Sequence, residues 1–341
     1  MRMLVTGATG FFGRMFMREM LQYQINRLPS QSPQAVVAFA RSESRLAALT
    51  RRYSDVDGYR HFLGDVRDLE RLRDACRGVD VVVHAAALKR VDDGSYNPSE
   101  MIATNITGTQ NVIKAATAMG VAKVIVVSSD KAVEPINVYG GTKFVAEQFA
   151  VSYNAISHPQ GTAVAVVRYG NVLSSTGSVL HLWREQAAAK KPLTITSPHM
   201  TRFVMTARDA VKLVLRVASI MEGGEIVVPK LQSVKLMDMV KALHPGREIE
   251  YIGKRVGGEK LHEKLLNEDE TSRALLCDPD IVVYPASPSW TASNKWTDGV
   301  THFYNFGGSL PYSSDNSDYL SHTAKTVAEE IARSEDENAG L

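Results

Sequence analysis

The sequence predicts an α/β protein: a doubly wound parallel sheet followed by a smaller C-terminal lobe. Three observations predict it. Short β-rich apolar runs alternate with helical patterns through the first 170 residues, as in a parallel sheet covered on both faces. The first run stops in a glycine-rich turn and feeds a helix directly. Beyond Arg168 the alternation loosens, which marks a second lobe that leans on the first.

In order, MRMLVTG is a short buried strand that stops at Gly7, and the apolar spacing from Phe11 to Leu28 is helical. Ala35–Ala40 (AVVAFA) is a strand, SESRLAALTRRY a helix, and YRHFL a strand leading to Gly64. LERLRDAC is helical, and VDVVVHAAA is a strand that ends near His84. A long helical stretch runs from Pro98 to Met119, followed by the strand KVIVVSS (Lys123–Ser129), a helix from Tyr139 to Ala155 and the strand TAVAVVR. Residues 1–170 therefore read as one Rossmann-like, dinucleotide-binding domain. Residues 171–341 read as a substrate lobe. A polar loop, GNVLSSTGSV, leads into a helix at Val179–Ala189, then come the extended PLTIT, an amphipathic helix at Ala207–Met221, the strand GEIVVPK and a helix near Lys235–Leu243. With no self-contained strand series, this lobe should interleave with the first domain and borrow its core, leaving a ligand cleft between them. From Ala286 onward Ser, Asn, Gly and aromatic residues predict an extended tail, with one amphipathic stretch at His322–Arg333 and a frayed end.

Composition narrows the function. At 341 residues, 44% hydrophobic and 22% charged, the chain can bury a sizeable core. Its 39 Lys+Arg against 37 Asp+Glu leave no one-signed field for nucleic acid or an anionic membrane, so any anion must be gripped locally. Cys76 and Cys277 are far apart and form no CxxC pair, which excludes a disulfide or zinc framework and suits buried packing in a reducing cytoplasm. No apolar run reaches the ~18 residues of a membrane span. The expectation is a cytoplasmic protein with no metal, nucleic-acid or membrane partner.

TGATGFFGR sets Gly7, Gly10 and Gly13 at GxxGxxG spacing between a strand and a helix, with Thr9, Phe11 and Phe12 completing the turn. Glycines permit a tight turn and close backbone approach, and a helix N-terminus offers free N–H groups to a pyrophosphate. An ordinary glycine-rich turn leaves that spacing unexplained. At the end of the second strand, Arg41 and Ser42, with Arg45 one turn on, put cations and a hydroxyl where an acidic residue would hold an NAD ribose, and so favour NADP. Asp65, next to Val66, either accepts from the adenine amino group or caps the following turn. Ala85, Ala86 and Ala87 leave room for the cofactor after the fourth strand.

The segment SSDKAVEPINVYGGTK carries the candidate chemistry. Tyr139 and Lys143 lie one helical turn apart, so that the lysine ammonium can lower the phenol pKa and Tyr139 can take a proton from a substrate hydroxyl as hydride leaves the same carbon. Ser128 and Ser129 close the strand before them. Asp130 and Lys131 add an acid and a base that simple oxidation does not need. Elimination of water does need them: one residue removes a proton acidified by a neighbouring ketone, and the other protonates the departing hydroxyl. An exposed Asp-Lys pair at a turn is the structural alternative.

The glycine turn, the serines and YxxxK together resemble the short-chain dehydrogenase/reductase superfamily, and the length and second lobe resemble its extended branch. More specifically, TGATGFFGR, GDVRDLERL, HAAALKRV, SYNPSEMIATNITGTQNVI, SSDKAVEPINVYGGTK, RYGNVLSSTGSV, MTRF, GGEIVVPK, GEKLHE and the tail LPYSSDNSDYL resemble the inverting UDP-N-acetylglucosamine 4,6-dehydratases of the pseudaminic acid type. The resemblance covers most of the chain. It implies NADP as cofactor, UDP-N-acetylglucosamine as substrate, a homo-oligomer, Asp130 as acid and Lys131 as base. It also implies a substrate-side Lys89, an Asn105 that braces the cofactor strand, and uridine-diphosphate contacts from Asn171 and Val172, Thr201 and Arg202, and Arg255 with Glu259. Each of these has a structural alternative. Retaining dehydratases resemble Thr-Asp-Glu where this chain has Ser129-Asp130-Lys131, so Lys131 favours the inverting branch. Two departures bear on the substrate: Arg255 to Lys260 is one residue longer than the family's Arg-Pro-Gly-Glu-Lys, and Ser175 and Thr176 stand where the family carries an arginine. The alternatives are a retaining 4,6-dehydratase, a nucleotide-sugar 4-epimerase, which leaves Asp130 and Lys131 idle, and a non-catalytic NADP-binding regulator.

Overall fold

Runs of Val, Ile, Leu and Ala that lack polar alternation bury both faces, and here they assemble into one sheet. The computed structural model describes residues 1–25, 33–157, 161–175, 177–253, 257–286, 312–316, 326, 329 and 331–332. The elements are β1 (Arg2–Thr6), α1 (Phe11–Ile25), β2 (Ala35–Ala40), α2 (Glu43–Tyr53), β3 (Tyr59–Leu63), α3 (Leu69–Cys76), β4 (Val81–His84), α4 (Val91–Tyr96), α5 (Pro98–Ile102), α6 (Gly108–Ala118), β5 (Lys123–Ser129), α7 (Val138–Ser157) and β6 (Ala163–Tyr169). There follow β7 (Asn171–Val172), α8 (Val179–Ala188), β8 (Leu193–Ile195), β9 (Thr201–Met205), α9 (Ala207–Ile220), β10 (Ile226–Pro229), β11 (Gln232–Lys235), α10 (Leu236–Leu243), β12 (Ile249–Tyr251), α11 (Glu268–Ser272), β13 (Ala274–Cys277) and β14 (Asp280–Val283).

The main sheet has nine strands in the order β13-β14-β10-β6-β5-β4-β1-β2-β3, and every neighbouring pair from β10 to β3 is parallel. The order reverses between β1 and β4, the switch point where such sheets bind ligands beyond the carboxyl ends of their strands. β10, β13 and β14 come from the second half of the chain and extend the same sheet, with β14 antiparallel to both neighbours.

Three expectations change. The stretch from Pro98 to Met119 is not one helix: a π-helical turn at Ala103–Thr107 separates α5 from α6. The second lobe does not simply borrow the first core, because Trp183, Leu193, Met200, Val234, Met239 and Val240 belong to a separate buried cluster. Nor does it lack a strand series of its own, since β11-β9-β7 and β12-β8 form small sheets apart from the main one. Cys76 and Cys277 are free thiols in buried positions, and burial pushes Cys76 up to about 12. Arg255, Thr176 and the last turn of the predicted first helix lie outside the described residues, as do most of the tail and of the stretch from His322 to Arg333. Among the described residues, no helix is long and apolar enough to cross a membrane, and no His/Cys/Asp/Glu group is arranged to hold a metal.

Candidate active site

β1 ends at Thr6, and Gly7 turns the chain at φ +72°, a left-handed conformation that favours glycine. Its N–H donates to Phe39 O at 2.9 Å, which ties the turn to β2. A Cβ on Gly7 would lie 2.8 Å from the backbone nitrogen of Ala86, and one on Gly13 would lie 2.4 Å from Gly7 O. The glycines therefore let the β1–α1 turn sit against the β4–α4 connection at the switch point. Thr9, Phe11 and Phe12 are half-buried on this turn, Gly10 is exposed, Ala85 and Ala86 are half-buried opposite, and Ala87 is exposed. Val66 is buried behind it, beneath Gly108.

A polar network that sequence reasoning missed supports the cradle. His84 Nδ1 lies 2.7 Å from Thr6 Oγ1, and its Nε2 lies 3.0 Å from Thr109 Oγ1. Because Thr109 donates its hydroxyl proton to Asn105 O at 2.6 Å, the arrangement requires Nε2–H on His84 and an accepting Nδ1. Burial, then the Lys143 charge, lower His84 to about 3, so it is neutral. Asn105 is buried in the π-helical turn. Its amide accepts from Leu88 N at 2.8 Å and donates to Leu88 O at 2.9 Å and to Thr142 Oγ1 at 3.0 Å. These bonds make it a brace between the β4–α4 connection and α7. The extra residue of the π-turn is what aims it there.

At the other end, Arg41 and Arg45 are exposed and Ser42 precedes α2 without capping it. They are joined by Arg14, which the sequence reading passed over although it directly follows Gly13. Burial, then the Arg45 charge, lower the proton affinity of Arg14, and its Nε is buried without a hydrogen bond among the described residues. Asp65 takes the structural alternative: its carboxylate accepts from Arg67 N, Nε and Nη2 at 3.0, 3.1 and 2.8 Å.

The reacting end forms where β5 stops. Ser129 Oγ donates to Asp130 Oδ1 at 2.7 Å, and a short 3-10 turn, Asp130–Ala132, carries the chain toward α7. Gly140 makes the approach possible, since a Cβ there would lie 2.4 Å from Lys131 O. Lys131 Nζ donates to Asp130 Oδ1 at 3.0 Å and to Asn171 Oδ1 at 3.1 Å, and it lies 3.3 Å from Glu263 Oε1. Burial works against the Lys131 charge, but Asp130 and Glu263 outweigh it and hold the group as an ammonium. Asp130 is fully buried. The Tyr139 phenol is raised by burial, against the Lys131 charge and the Ser129 hydroxyl, which draw it down. The cation acting most strongly on Tyr139 is thus Lys131, not Lys143 as the YxxxK spacing suggests. Lys143 Nζ donates to Val127 O at 2.6 Å, and burial, eased by Glu147, lowers it to about 8. Ser128 is buried, with an Oγ that makes no hydrogen bond among the described residues. Lys89, exposed at its end, comes near Lys131; its pKa is lowered by the protein around its stem and then by that charge.

The residues expected to hold a uridine diphosphate sit differently. Asn171 is exposed and engages Lys131, with Val172 half-buried beside it. Thr201 is buried, with its hydroxyl 2.9 Å from His262 Nδ1 and 2.6 Å from Ser314 Oγ. Arg202 is buried and donates to Thr201 O, Leu261 O and Glu259 Oε1 at 2.7, 3.0 and 2.9 Å. Glu259 also accepts from Thr196 at 2.9 Å. These groups fasten the 257–264 segment to β9. A cavity of about 480 Å³ opens beside it, lined by Ile136, Glu259, Lys260, His262, Lys264 and Asp315 among others.

Comparison with known proteins agrees with this architecture. A family model described as polysaccharide biosynthesis protein matches residues 3–284. A protein of Campylobacter jejuni named UDP-N-acetylglucosamine 4,6-dehydratase (inverting) is 41% identical over 269 residues, covering 79% of this chain and 78% of the relative. A UDP-glucose 4-epimerase of Rickettsia bellii is 38% identical, covering 80% of this chain and 79% of the relative. The crystal structure of Pen from Bacillus thuringiensis superposes with a TM-score of 0.77 at 34% identity, covering 86% of this chain and 88% of that one. The matched segment takes in the glycine turn, the Ser129–Lys131 triplet, Tyr139 and Lys143, and the chain belongs to the polysaccharide biosynthesis protein family.

Proposed function

We propose that this protein is an NADP-dependent UDP-N-acetylglucosamine 4,6-dehydratase that inverts C5. The observation that carries the reading is the Asp130–Lys131 pair at the end of β5 beside Tyr139, with Asp130 fully buried and Lys131 half-buried. Lys131 Nζ and Asp130 Oδ1 are 3.0 Å apart, so one proton passing between them converts ammonium and carboxylate into amine and carboxylic acid. That is a base and an acid at unchanged proton count.

The nucleotide cradle fits a nicotinamide dinucleotide: Gly7 and Gly13 let the β1–α1 turn close against Ala86 and against its own backbone, and Arg14, Arg41 and Arg45 gather positive charge where a 2′-phosphate would relieve it. A bound nicotinamide would supply a hydride acceptor for C4 of the sugar and a hydride donor for C6. Tyr139, as phenolate, takes the 4-hydroxyl proton, with Ser129 and the nearby ammonium groups favouring that form. Lys131, as amine, takes the C5 proton made acidic by the 4-ketone. Asp130 gives its proton to the 6-hydroxyl, the C6–O bond breaks and water leaves. A solvent-derived proton added at C5 from the opposite face completes the inverted 4-keto-6-deoxy sugar, and Tyr139 gives up the proton it took to solvent, which resets the site.

The Rickettsia relative favours a second reading, a 4-epimerase, which needs Tyr139 and Lys143 but gives Asp130 and Lys131 no task. Incubation with UDP-N-acetylglucosamine in D₂O separates the two. A 4-keto-6-deoxy product carrying deuterium at an inverted C5, read by NMR, is expected; recovery of a C4 epimer alone would sink the dehydratase reading. The same reading puts the enzyme in the cytoplasm as a homo-oligomer. Pairing would use α4, α5 and α7, where Tyr96, Ile102, Phe144 and Val145 are exposed.

A further inference from the structure

Glu263 closes the motif GEKLHE, and its side chain is 3% exposed. Oε1 lies 3.3 Å from Lys131 Nζ, while Oε2 lies 3.6 Å from Lys260 Nζ and accepts no hydrogen bond among the described residues. What fixes this carboxylate is its backbone. Glu263 N–H donates to Ser314 Oγ at 2.9 Å, and Ser314 N–H returns a bond to Glu263 O at 2.8 Å. Leu265 N–H donates to Tyr312 O at 3.0 Å, and Lys264 pairs with Ser313 in an antiparallel bridge. Tyr312 anchors the segment: its hydroxyl donates to Pro229 O at 3.1 Å and accepts from Leu231 N at 2.7 Å, and its ring packs 5.0 Å from that of Phe203. Ser314 Oγ also meets Thr201 of β9. Tyr312 and Ser314 are fully buried.

We infer that Glu263 is a positioning residue for the Lys131 side chain, and that residues 312–316 are the strap that holds its carboxylate there. The inference rests on the dehydratase reading, which gives Lys131 a proton to carry. The groups facing Lys131 are Asp130 beside it, Glu263 and Lys260 from the 257–264 segment, Arg202 from β9, Lys89 after β4, Tyr139 on α7 and the neutral Asn171. Two acceptors, Asp130 and Asn171, take hydrogen bonds from the ammonium, and the Glu263 carboxylate closes its remaining side as an ion pair at 3.3 Å. Nζ is thereby oriented, and its lone pair appears only when the proton passes to Asp130. Glu263 takes no proton in this scheme. It keeps the end of the lysine in register and raises its proton affinity.

Glu263→Gln removes the charge and keeps the shape. Competitive acetylation of the full-length enzyme with acetic anhydride across a pH series, read by mass spectrometry of the Lys131 peptide, measures that proton affinity without turnover. The midpoint for Lys131 is expected to move to lower pH than in the wild type. With UDP-N-acetylglucosamine, kcat should fall about tenfold with KM little changed, and the acid limb of the kcat profile should move to lower pH. Ser314→Ala, which leaves every charge in place but loosens the strap, should shift both in the same direction by less. It decides the matter if Glu263→Gln fails to fold. An unmoved Lys131 midpoint, or a fall in kcat without movement of the acid limb, overturns the inference. A wild-type enzyme that makes no 4-keto-6-deoxy product overturns the dehydratase reading, while the acetylation midpoint still decides whether Glu263 holds Lys131.

Discussion

Lys131→Met keeps roughly the volume of the lysine and deletes its charge, which leaves two buried carboxylates, Asp130 and Glu263, without the ammonium between them. Breaking a buried ion pair by removing one partner costs about 3–5 kcal/mol, because the remaining charge is uncompensated. The sign of its pH dependence follows from the altered group. In the wild type, the raised Lys131 pKa contributes stability that is fully present below the usual lysine range and is lost only as pH rises through the folded value. In the variant, the stranded carboxylates have raised folded pKa values, so their penalty is full at neutral pH and fades as they protonate below it. Melting curves at pH 5 and pH 8 should therefore differ less between variant and wild type at the lower pH. Turnover should fall about 10²- to 10⁴-fold, the usual contribution of a general base. The oxidation half-reaction, which loses the Lys131 charge beside Tyr139 but not its base, should slow less than elimination, so reduced cofactor should accumulate at 340 nm on addition of UDP-N-acetylglucosamine. Turnover within threefold of wild type, together with a melting difference that ignores pH, would refute the reasoning.

Gly13→Ala forces a methyl to within 2.4 Å of Gly7 O, a backbone atom that cannot swing aside, and overpacking of about 1–3 kcal/mol should weaken cofactor binding roughly five- to 150-fold by fluorescence titration. Arg14→Ala combined with Arg45→Ala should raise the Kd for NADP by at least about tenfold while leaving that for NAD within about threefold, by calorimetry. Lys143, lowered to about 8 by burial, is more readily deprotonated folded than unfolded. The unfolded chain then binds more protons between about pH 8 and the usual lysine range, so the Lys143 contribution to stability rises with pH there, and Lys143→Met should flatten that part of a denaturation series. Arg168→Leu strands Glu147 and Glu270, both buried, and should cost about 3–5 kcal/mol in urea unfolding.

Most of the sheet was legible because β2, β4, β5, β6 and β10 carry runs rich in Val, Ile and Ala, and the glycine turn because its spacing has few other uses; β13 and β14, which complete one edge of the sheet, were not anticipated. The second lobe was harder to read. β7 is two residues long, β9 carries Arg202 as its second residue, and β11 buries only Ser233 and Val234 between two exposed polar residues, so none produces a run that stands out from loop. At the site, Asp130, Lys131, Tyr139 and Lys143 were found from local spacing, and the structure brings Lys131 to both Asp130 and Tyr139. Glu263 was hidden, because its partner lies more than a hundred residues away and nothing local marks one glutamate of GEKLHE above another. Thr201 and Arg202 were read by family resemblance as diphosphate contacts, yet the arginine spends its donors on Glu259 and backbone oxygens. A sequence shows that a cation is present; what it pairs with is decided by the fold.

Two buried charge clusters flank α7, and both reach it from the same stretch of chain. Near its start, Glu263 meets Lys131; farther along, Arg168 of β6 binds Glu147 of α7 and Glu270 of α11, and donates to Leu265 O at 3.0 Å. Apolar packing could join these elements at no greater cost, since a buried ion pair is often no more stabilising than the hydrophobic residues that could replace it. What packing does not provide is direction: a methyl group accepts a neighbour at many angles, whereas a guanidinium fork accepts a carboxylate in very few. Residues 257–272 are thus fastened both to the turn that precedes α7 and, through Arg168, to Glu147 on α7 itself. Burying charge buys geometry here. The near-balance of 39 basic and 37 acidic residues, uninformative as a net field, conceals that several of these charges are spent inside the protein on placing a single lysine and a single tyrosine.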